Sequence, residues 1–306
     1  MAKRLLTALT APLALVGCSS DDGIPFSPPT TVTKVASGGF VSPTDAVASP
    51  DGSTFYFAAY TADEDRQPAI FATASEPGST AQPLAVSDPL EMPIGLVLSC
   101  DGSTLFIADM GSEAGSILAM PVGGGAVTPL AVTGIERPGG LAMGPDCKTI
   151  YATGRTAAWQ PALFSVPIDG GAAKEIYVGA PLVSPTGMHI DSDGVSWVMD
   201  NRAHGAGGEG VLFAIPKDGS AANEVVSGLQ MGTPGGVSLV SIGGTAVMPT
   251  RDADGNAQLT AVHTRTGEMT QLAAPEMTDP AGIRTSRDTA VMAVVDSEAA
   301  TIFRAE

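Results

Sequence analysis

A 17-residue segment of this chain, PIGLVLSCDGSTLFIAD at residues 93–109, returns in altered form along the rest of the sequence. Aligning the copies on their first residue gives prolines spaced 45 to 50 residues apart: Pro43, Pro93, Pro138, Pro185, Pro234 and Pro280. A period in the forties, with turn residues at fixed offsets, is typical of repeat architectures built from four-stranded sheets. The sequence therefore predicts an all-β domain made of six copies of one unit.

The order of apolar runs and turn residues predicts four strands in each unit. A short apolar run such as residues 140–143 (GLAM) indicates the first strand, and a tight turn like the one at Asp101-Gly102 follows it. β-Branched and aromatic residues then indicate a second strand, as at residues 104–107 (TLFI). Residues 163–166 (LFSV) and 175–178 (EIYV) are typical of the third and fourth strands.

The sixth unit has no fourth strand of its own, because its third strand, at residues 301–304, is followed by only two residues. A segment before the first unit, residues 31–36 (TVTKVA), has the pattern of an outer strand. Pairing these two segments would leave no open sheet edge between the first and last units. We therefore expect residues 31–306 to form one domain, a ring of six sheets in which the N-terminal strand completes the last sheet.

Two runs of the sequence, SPDGSTFY at residues 49–56 and DGSTLFIAD at residues 101–109, resemble the NHL and YVTN repeats of β-propellers. The resemblance covers roughly residues 31–306 and implies a six-bladed propeller of four-stranded blades. Propellers of this kind include hydrolases, lyases and binding proteins, and their sites usually lie at one end of the central channel. The resemblance therefore implies a fold and the place of a site, and leaves the activity open.

The N-terminus has the pattern of an export signal. Lys3 and Arg4 precede an apolar run, residues 5–16, which is too short to span a bilayer. The sequence LVGC at residues 15–18 resembles the lipobox of bacterial lipoproteins, which implies lipid attachment at Cys18 and retention on a membrane. We expect a signal peptide at residues 1–17 and a flexible tether at residues 18–30. A serine directly after the lipobox cysteine, here Ser19, resembles the pattern of lipoproteins sorted to the outer membrane. The resemblance therefore implies a lipid-anchored protein of the bacterial cell envelope, held at the outer membrane.

Composition limits the partners. The formal net charge is −17, and a field of that sign repels nucleic acid and anionic membrane surfaces. The acidity favours a soluble protein with a solvated surface, and a specific function of the negative charge is the alternative. We expect a monomer that does not bind nucleic acid.

The resemblance to gluconolactonase and paraoxonase hydrolases implies Asn, Asp and Glu side chains around a calcium ion in the channel. The slot after each repeat proline, where such ligands are expected, contains no carboxylate or amide here: Thr44, Ile94, Gly139, Thr186, Gly235 and Ala281. A metal-dependent hydrolase or lyase would need displaced ligands, for which the candidates are Asp45, Asp109, Asp200 and Asp296. The histidines His189, His204 and His263 do not occupy equivalent positions, so a zinc site is not expected.

A better candidate for a site is a set of loop residues that follow the second strands. Arg155, Arg202 and Arg251 stand at near-equivalent places in three consecutive units, and guanidinium groups suit carboxylate or phosphate ligands. The alternative is that each arginine pairs with a neighbouring acid and stiffens its loop. The other candidate ligand-binding residues of this face are Asp109, Asp200, Asn201, Asp296 and Trp159.

Cys100 and Cys147 stand in near-equivalent turns of consecutive units, so export would allow a disulfide between them. The function expected from the sequence is a membrane-anchored binding domain for a partner protein, a peptide or a small anionic ligand, without catalysis and without a required cofactor. The alternative is a calcium-dependent hydrolase or lyase of the gluconolactonase-like class.

Overall fold

The computed structural model describes residues 25–111, 113–204, 209–232, 234–240 and 244–306. Within these ranges the chain forms β-strands and no helix, and therefore no helix that could cross a membrane. The predicted signal peptide at residues 1–17 and the predicted lipidation residue Cys18 lie outside the described residues.

The strands follow the repeat. Strand β1 (Val32–Ser37) precedes the first unit, which contains β2 (Phe40–Ala48), β3 (Thr54–Thr61), β4 (Pro68–Ala74) and β5 (Gln82–Val86). The second unit contains β6 (Pro93–Leu98), β7 (Thr104–Asp109), β8 (Ser116–Pro121) and β9 (Thr128–Pro129). The third contains β10 (Val132–Thr133), β11 (Leu141–Met143), β12 (Thr149–Arg155), β13 (Pro161–Pro167), β14 (Gly171–Ala172) and β15 (Lys174–Val178).

The second half of the chain has the same order. The fourth unit contains β16 (Pro185–Ile190), β17 (Ser196–Asp200), β18 (Glu209–Ile215) and β19 (Asn223–Gln230). The fifth contains β20 (Ser238–Val240), β21 (Thr245–Arg251), β22 (Ala257–His263) and β23 (Met269–Ala273). The sixth contains β24 (Pro280–Thr285), β25 (Met292–Asp296) and β26 (Thr301–Ala305).

Each unit forms an antiparallel sheet in which the four main strands pair in chain order. The fourth and fifth sheets are joined into one by a single pair, Gln230 with Arg251. The sixth sheet takes its fourth strand from the other end of the chain, because β1 pairs antiparallel with β26 from Val32 opposite Ala305 to Ser37 opposite Thr301. The first and last units are therefore held together by main-chain hydrogen bonds.

The core is divided among the units rather than gathered in one place. Among the described residues, six buried apolar clusters each take side chains from two neighbouring units. One of them joins the sixth unit to the first and contains Phe57 and Phe71 together with Ala293 and Val295. The first strands of successive units also contact one another, and β24 contacts β2. Each sheet is thus stabilised by apolar burial against the sheets on both sides.

The two ends of the sheets differ. We call the end where the first strands begin, marked by Pro93 and Asp109, the loop face, and the end with the tight turns between first and second strands the turn face. On the turn face, Asp101 accepts hydrogen bonds from Ser99 Oγ and Ser103 N, which fixes the turn. These bonds lower the pKa of Asp101 to about 2.

A disulfide links two of these turns. Cys100 and Cys147, from the second and third units, are bonded with their Cα atoms 5.6 Å apart, within the range that a disulfide requires.

The segment before β1 packs on the turn face, which differs from the tether predicted for residues 18–30. The ring of Phe26 lies edge-on against His263 with ring centroids 5.8 Å apart, and Ser27 N donates to Thr245 Oγ1 at 2.8 Å. Pro29 is buried, and Thr30 N donates to the carbonyl of Glu306 at 2.7 Å. Residues 25–30 therefore belong to the domain, because an apolar ring and a buried proline pack on it.

Candidate functional site

Neighbouring units lie close together at a ring of glycines two residues after the repeat prolines: Gly95, Gly140, Gly187, Gly236 and Gly282. A Cβ atom on Gly140 would lie 2.1 Å from the carbonyl oxygen of Thr186, and one on Gly95 would lie 2.1 Å from that of Gly139. Glycine is needed here because the backbone of the next unit occupies the space of a side chain. In the first unit the same position is Asp45. The channel between the first strands is therefore narrow at this level.

Arg284 lies in this channel and lines the cavities on both sides of the narrow level. Its side chain leaves β24 and crosses to the opposite strands, where Nη1 donates to the Met188 carbonyl at 2.5 Å and Nη2 to the Leu141 carbonyl at 2.9 Å. A longer contact, 3.4 Å, joins Nη2 to the carbonyl of Leu96. The residue is only 8% exposed. One buried cation thus ties the sixth unit to the second, third and fourth units.

Asp45 is the counter-ion of this arginine. Its Oδ2 lies 3.9 Å from Arg284 Nη2 and accepts a hydrogen bond from Leu96 N at 2.9 Å, while its Oδ1 accepts one from Ala46 N. Burial raises the pKa of Asp45 to about 6, against the lowering effect of Arg284 and of the two N–H donors. The pair is therefore a charged contact at neutral pH whose acidic partner is protonated in mild acid.

A cavity of about 150 Å³ opens on the loop face above this level. Residues from all six units line it, in or just before the first strands, and Arg284 and Asp45 lie at its inner end. Two further arginines, Arg137 and Arg155, line it from the third unit. The cavity therefore combines a small volume with three guanidinium groups, a combination that suits an anionic group of a ligand.

The structure separates the three arginines that the sequence placed together. Arg155 lines the cavity, where Nη1 donates to the Trp159 carbonyl at 2.9 Å and Nη2 to the Val183 carbonyl at 3.2 Å. Arg251 is bound in an ion pair with Asp279 at 2.5 Å, and Arg202 is exposed outside the cavity lining. The stiffening role weighed as the alternative therefore describes Arg251, and Arg155 retains unused donors at the cavity.

Three of the predicted acidic site residues bind their own loops instead of facing a ligand. Asp109 stands opposite the repeat proline Pro93, and its carboxylate accepts hydrogen bonds from Glu91 N, Met92 N and Gly111 N. Asp200 does the same in the fourth unit, where it accepts hydrogen bonds from the backbone N–H groups of Val183, Ser184 and Arg202. In the sixth unit, Asp296 accepts hydrogen bonds from those of Thr278, Asp279 and Ala299. All three are buried, so their role is to hold the loop that leads into each first strand.

Asn201 and Trp159, the remaining predicted residues, lie beside the cavity. Asn201 Oδ1 is 3.3 Å from Thr186 Oγ1, and Thr186 belongs to the cavity lining. Trp159 is 56% exposed and has a positive φ of 61°, and its carbonyl is bound by Arg155. Its backbone is thus tied to a cavity arginine, and an exposed aromatic side chain on this loop is a suitable platform for the apolar part of a ligand.

The displaced calcium ligands are not brought together. Asp109, Asp200 and Asp296 each bind a separate loop, and Asp45 faces Arg284. Over the described ranges, no group of three or more His, Cys, Asp or Glu side chains lies close enough to hold a metal ion. These residues do not fit a calcium ion, because their oxygen atoms accept N–H donors from different loops or contact a cation.

Sequence reasoning missed Arg137 and Arg284. Arg284 interrupts an otherwise uncharged first strand, residues 280–285 (PAGIRT), and a charge at a predicted core position was a usable signal. Arg137 directly precedes the repeat proline Pro138, at the loop-face end of its unit. Comparing residues before as well as after each proline would have found it.

The fold of this chain is similar to that of solved structures, whereas comparisons by sequence found no match. No protein-family model matches the chain, and no curated protein sequence matches it. A chain in the crystal structure of a nidogen/laminin complex superposes with a TM-score of 0.59 at 18% sequence identity, covering 79% of this chain and 89% of that one. TolB from Acinetobacter baumannii gives a TM-score of 0.59 at 16% identity, covering 76% of this chain and 54% of the TolB chain. Both are β-propellers, and likeness at this identity shows the β-propeller fold alone.

Proposed function

We propose that this chain is an exported, lipid-anchored binding protein of the cell envelope, in which a closed six-bladed propeller binds a carboxylate-bearing ligand on its loop face without catalysis. The ligand is a small organic anion or the C-terminal end of a peptide or partner protein. The observation that carries the proposal is the placement of Arg137 and Arg155 at one small loop-face cavity that has Arg284 at its inner end.

The proposed ring of six blades is supported by contacts between the ends of the chain. Strand β1 pairs with β26, β24 contacts β2, and a buried cluster lies between the sixth and first units. The six repeats in the sequence, two runs of which resemble NHL and YVTN repeats, agree with this count. A ring closed by main-chain pairing and by apolar packing would hold the first strands, and with them the cavity, in one geometry.

The ligand class follows from charge and size. The chain as a whole is acidic, but exposed charges separated by more than about 8 Å are screened at physiological ionic strength. The nearby guanidinium groups therefore decide what enters the cavity, and they favour a carboxylate. Arg137 has no side-chain hydrogen bond or ion pair within the described residues, so its donors are available. A volume of about 150 Å³ accommodates the charged end of a ligand, while exposed Trp159 contacts the remainder.

The anchor fits this arrangement. Residues 25–30 leave the domain from the turn face, so an acyl anchor at Cys18 would place that face towards the membrane and the loop face away from it. Six residues lie between Cys18 and Pro25, and these seven Cα–Cα steps reach at most about 25 Å. The cavity would then face the aqueous side, where soluble peptides and anions are accessible.

The ligand proposal is tested by titrating the protein with N-acetyl-Ala-Ala and with its C-terminal amide in a calorimeter. We expect the free carboxylate to bind and the amide to bind at least about tenfold more weakly, because charge-assisted hydrogen bonds are lost. The double variant Arg137→Gln with Arg155→Gln should lose binding by about the same factor. Arg202→Gln, on the same face but outside the cavity, is the matched control and should bind normally.

Three results would contradict the ligand proposal: no binding of the carboxylate form, equal binding of acid and amide, or unchanged binding by the double variant. Inorganic phosphate and acetate, titrated separately, distinguish a free anion site from one that needs a peptide. The anchor is tested by labelling cells with an alkyne-bearing fatty acid. Wild-type protein should be labelled and remain with membranes, and Cys18→Ser should be unlabelled and released; labelling of both proteins would contradict the assignment.

A further inference from the structure

A second and larger cavity, of about 450 Å³, opens on the turn face below the narrow level. Its volume lies within the range of small-molecule sites. Apolar side chains make up much of its wall, among them Val97, Leu98, Met143, Ile190 and Leu239. It shares only Arg284 with the loop-face cavity, so the two spaces are separate compartments of the channel.

One wall of this cavity presents a histidine in a fixed state. His189 Nδ1 accepts a hydrogen bond from Leu239 N at 3.3 Å and lies 3.5 Å from Ser238 Oγ. Burial, helped by the positive charge of Arg284, lowers the pKa of His189 to about 3, so the ring is neutral at neutral pH. Because Nδ1 is the acceptor, the proton is on Nε2. That nitrogen has no partner among the described residues, which leaves it as a donor for a ligand in the cavity.

Positive charge lies at the inner end of the same cavity. Arg284 lines this end, and its terminal nitrogens donate to the carbonyls of Met188 and Leu141. Its Nε atom is closed off by the surrounding chain, so what Arg284 contributes to the cavity is its charge. Arg287 also lines the cavity, where its side chain is exposed and its Nη2 donates to Cys147 Sγ at 3.6 Å. The cavity thus combines the His189 donor with two cations.

The acid that lines this cavity does not compete for those donors. Asp191 accepts hydrogen bonds from Asp193 N, Val195 N and Trp197 Nε1, which bind both of its carboxylate oxygens. Asp45, the counter-ion of Arg284, lines only the loop-face cavity. Among the described residues, Asp191 is therefore the one acid that lines the turn-face cavity, and its oxygens are already bound.

We propose that the turn-face cavity is a second binding site, specific for a monocarboxylate with an apolar tail. The carboxylate accepts a hydrogen bond from His189 Nε2 and is attracted by the positive charge of Arg284, and the tail packs against Leu98, Met143 and Leu239. This site is independent of the ligand proposed for the loop face, because the Arg284 side chain and the glycine ring lie between the two cavities. It opens on the face that residues 25–30 cross, which under the proposed anchoring is the side nearer the membrane and its amphiphiles.

The test uses octanoate as the probe, with 1-octanol and acetate as comparisons that lack the charge or the tail. We expect octanoate to bind wild-type protein and both comparisons to bind at least about tenfold more weakly. His189→Asn, whose side-chain oxygen can still accept from Leu239 N but which has no donor at the position of Nε2, should lose affinity for octanoate by about tenfold. Met143→Trp, which fills the cavity, should abolish binding. The Arg137→Gln with Arg155→Gln variant should bind octanoate normally, which separates this site from the loop-face site.

A direct measurement removes the dependence on variants that fold poorly. In a proton–carbon spectrum of the histidine rings, octanoate should shift the His189 signal and leave His204 unchanged, because His204 is exposed and bound to Glu224. The proposal is overturned if octanoate produces no shift of His189, if octanol binds as tightly as octanoate, or if folded Met143→Trp binds as wild type does.

Discussion

Replacing Arg284 by methionine removes the buried cation while keeping most of the length of the side chain. The lost hydrogen bonds are those to the carbonyls of Met188, Leu141 and Leu96, and each bond from a charged donor contributes about 1.5–3 kcal/mol. The lost attraction to Asp45 at 3.9 Å is about 4 kcal/mol before desolvation, at an effective dielectric constant of about 20. Desolvation offsets much of this sum, and we expect a net loss of about 3–5 kcal/mol near pH 8.

The loss depends on pH in a direction set by Asp45. In wild-type protein the pKa of Asp45 is about 6, and the charge of Arg284 holds it below what burial alone would give. Without Arg284 that pKa rises, so ionised Asp45 is costlier in the folded variant at pH 8, whereas at about pH 5 it is mostly protonated in both proteins. A rise of about one pKa unit makes the loss about 1.4 kcal/mol smaller at the lower pH. Removing the charge of Arg284 also raises the pKa of His189, which acts in the same direction.

The assay is urea unfolding, followed by tryptophan fluorescence, at both pH values. Arg202→Met serves as the control, because its exposed side chain should change the free energy of unfolding by less than about 0.5 kcal/mol. Adding Asp45→Asn to Arg284→Met should recover part of the loss near pH 8, since the amide oxygen can still accept from Leu96 N and carries no charge. A loss below about 1 kcal/mol, or an equal loss at both pH values, would refute the assignment of Arg284 as a charged link between units.

Three further changes test the packing. Gly140→Ala should lower the free energy of unfolding by about 2–3 kcal/mol, because its Cβ would lie 2.1 Å from the Thr186 carbonyl oxygen. Gly123→Ala, whose Cβ would have nothing within 4 Å, is the control and should change it by less than about 0.5 kcal/mol in the same urea assay; equal effects would contradict the narrow glycine ring. The double variant Cys100→Ser with Cys147→Ser removes a disulfide between residues 47 apart and should lower the free energy of unfolding by about 4 kcal/mol by the chain-entropy relation. The loss is measured as a lower urea midpoint, and a midpoint that neither the substitution nor chemical reduction changes would argue against the disulfide. Phe26→Ala should lower the free energy of unfolding by about 1–2 kcal/mol and speed hydrogen exchange of the backbone amides within residues 27–31. Unchanged exchange would mean that Phe26 does not pack this segment against the domain.

The repeat made most of the fold predictable. Second strands such as β7 and β12 were readable because β-branched and aromatic residues follow a fixed Asp-Gly or equivalent turn, and the outer strand before the first unit was inferred from its missing counterpart in the sixth. The packed segment around Phe26 was missed, because a single apolar residue among prolines and serines shows no periodicity. Its partner His263 is distant in sequence and could not be identified from it.

The candidate site was only partly predictable, because a sequence gives a position on a loop and not the direction of a side chain. Asp109 and Arg155 follow equivalent strands, yet the aspartate turns back to bind its own loop and the arginine lines the cavity. The difference is set by which backbone N–H groups lack partners in each unit, and these depend on the loop conformation. The partners of Arg284 could not be predicted, because its hydrogen bonds are accepted by backbone carbonyls, which every residue type has, although its charge in an apolar strand was a usable signal.

The claim that the loop face binds a carboxylate is tested most directly by the arginine Nε–H signals in a proton–nitrogen spectrum. On addition of N-acetyl-Ala-Ala, the signals of Arg137 and Arg155 should shift together along one saturating curve, and that of Arg202 should stay in place. Signals of Arg137 and Arg155 that do not move, or that move no more than Arg202 does, would contradict the claim.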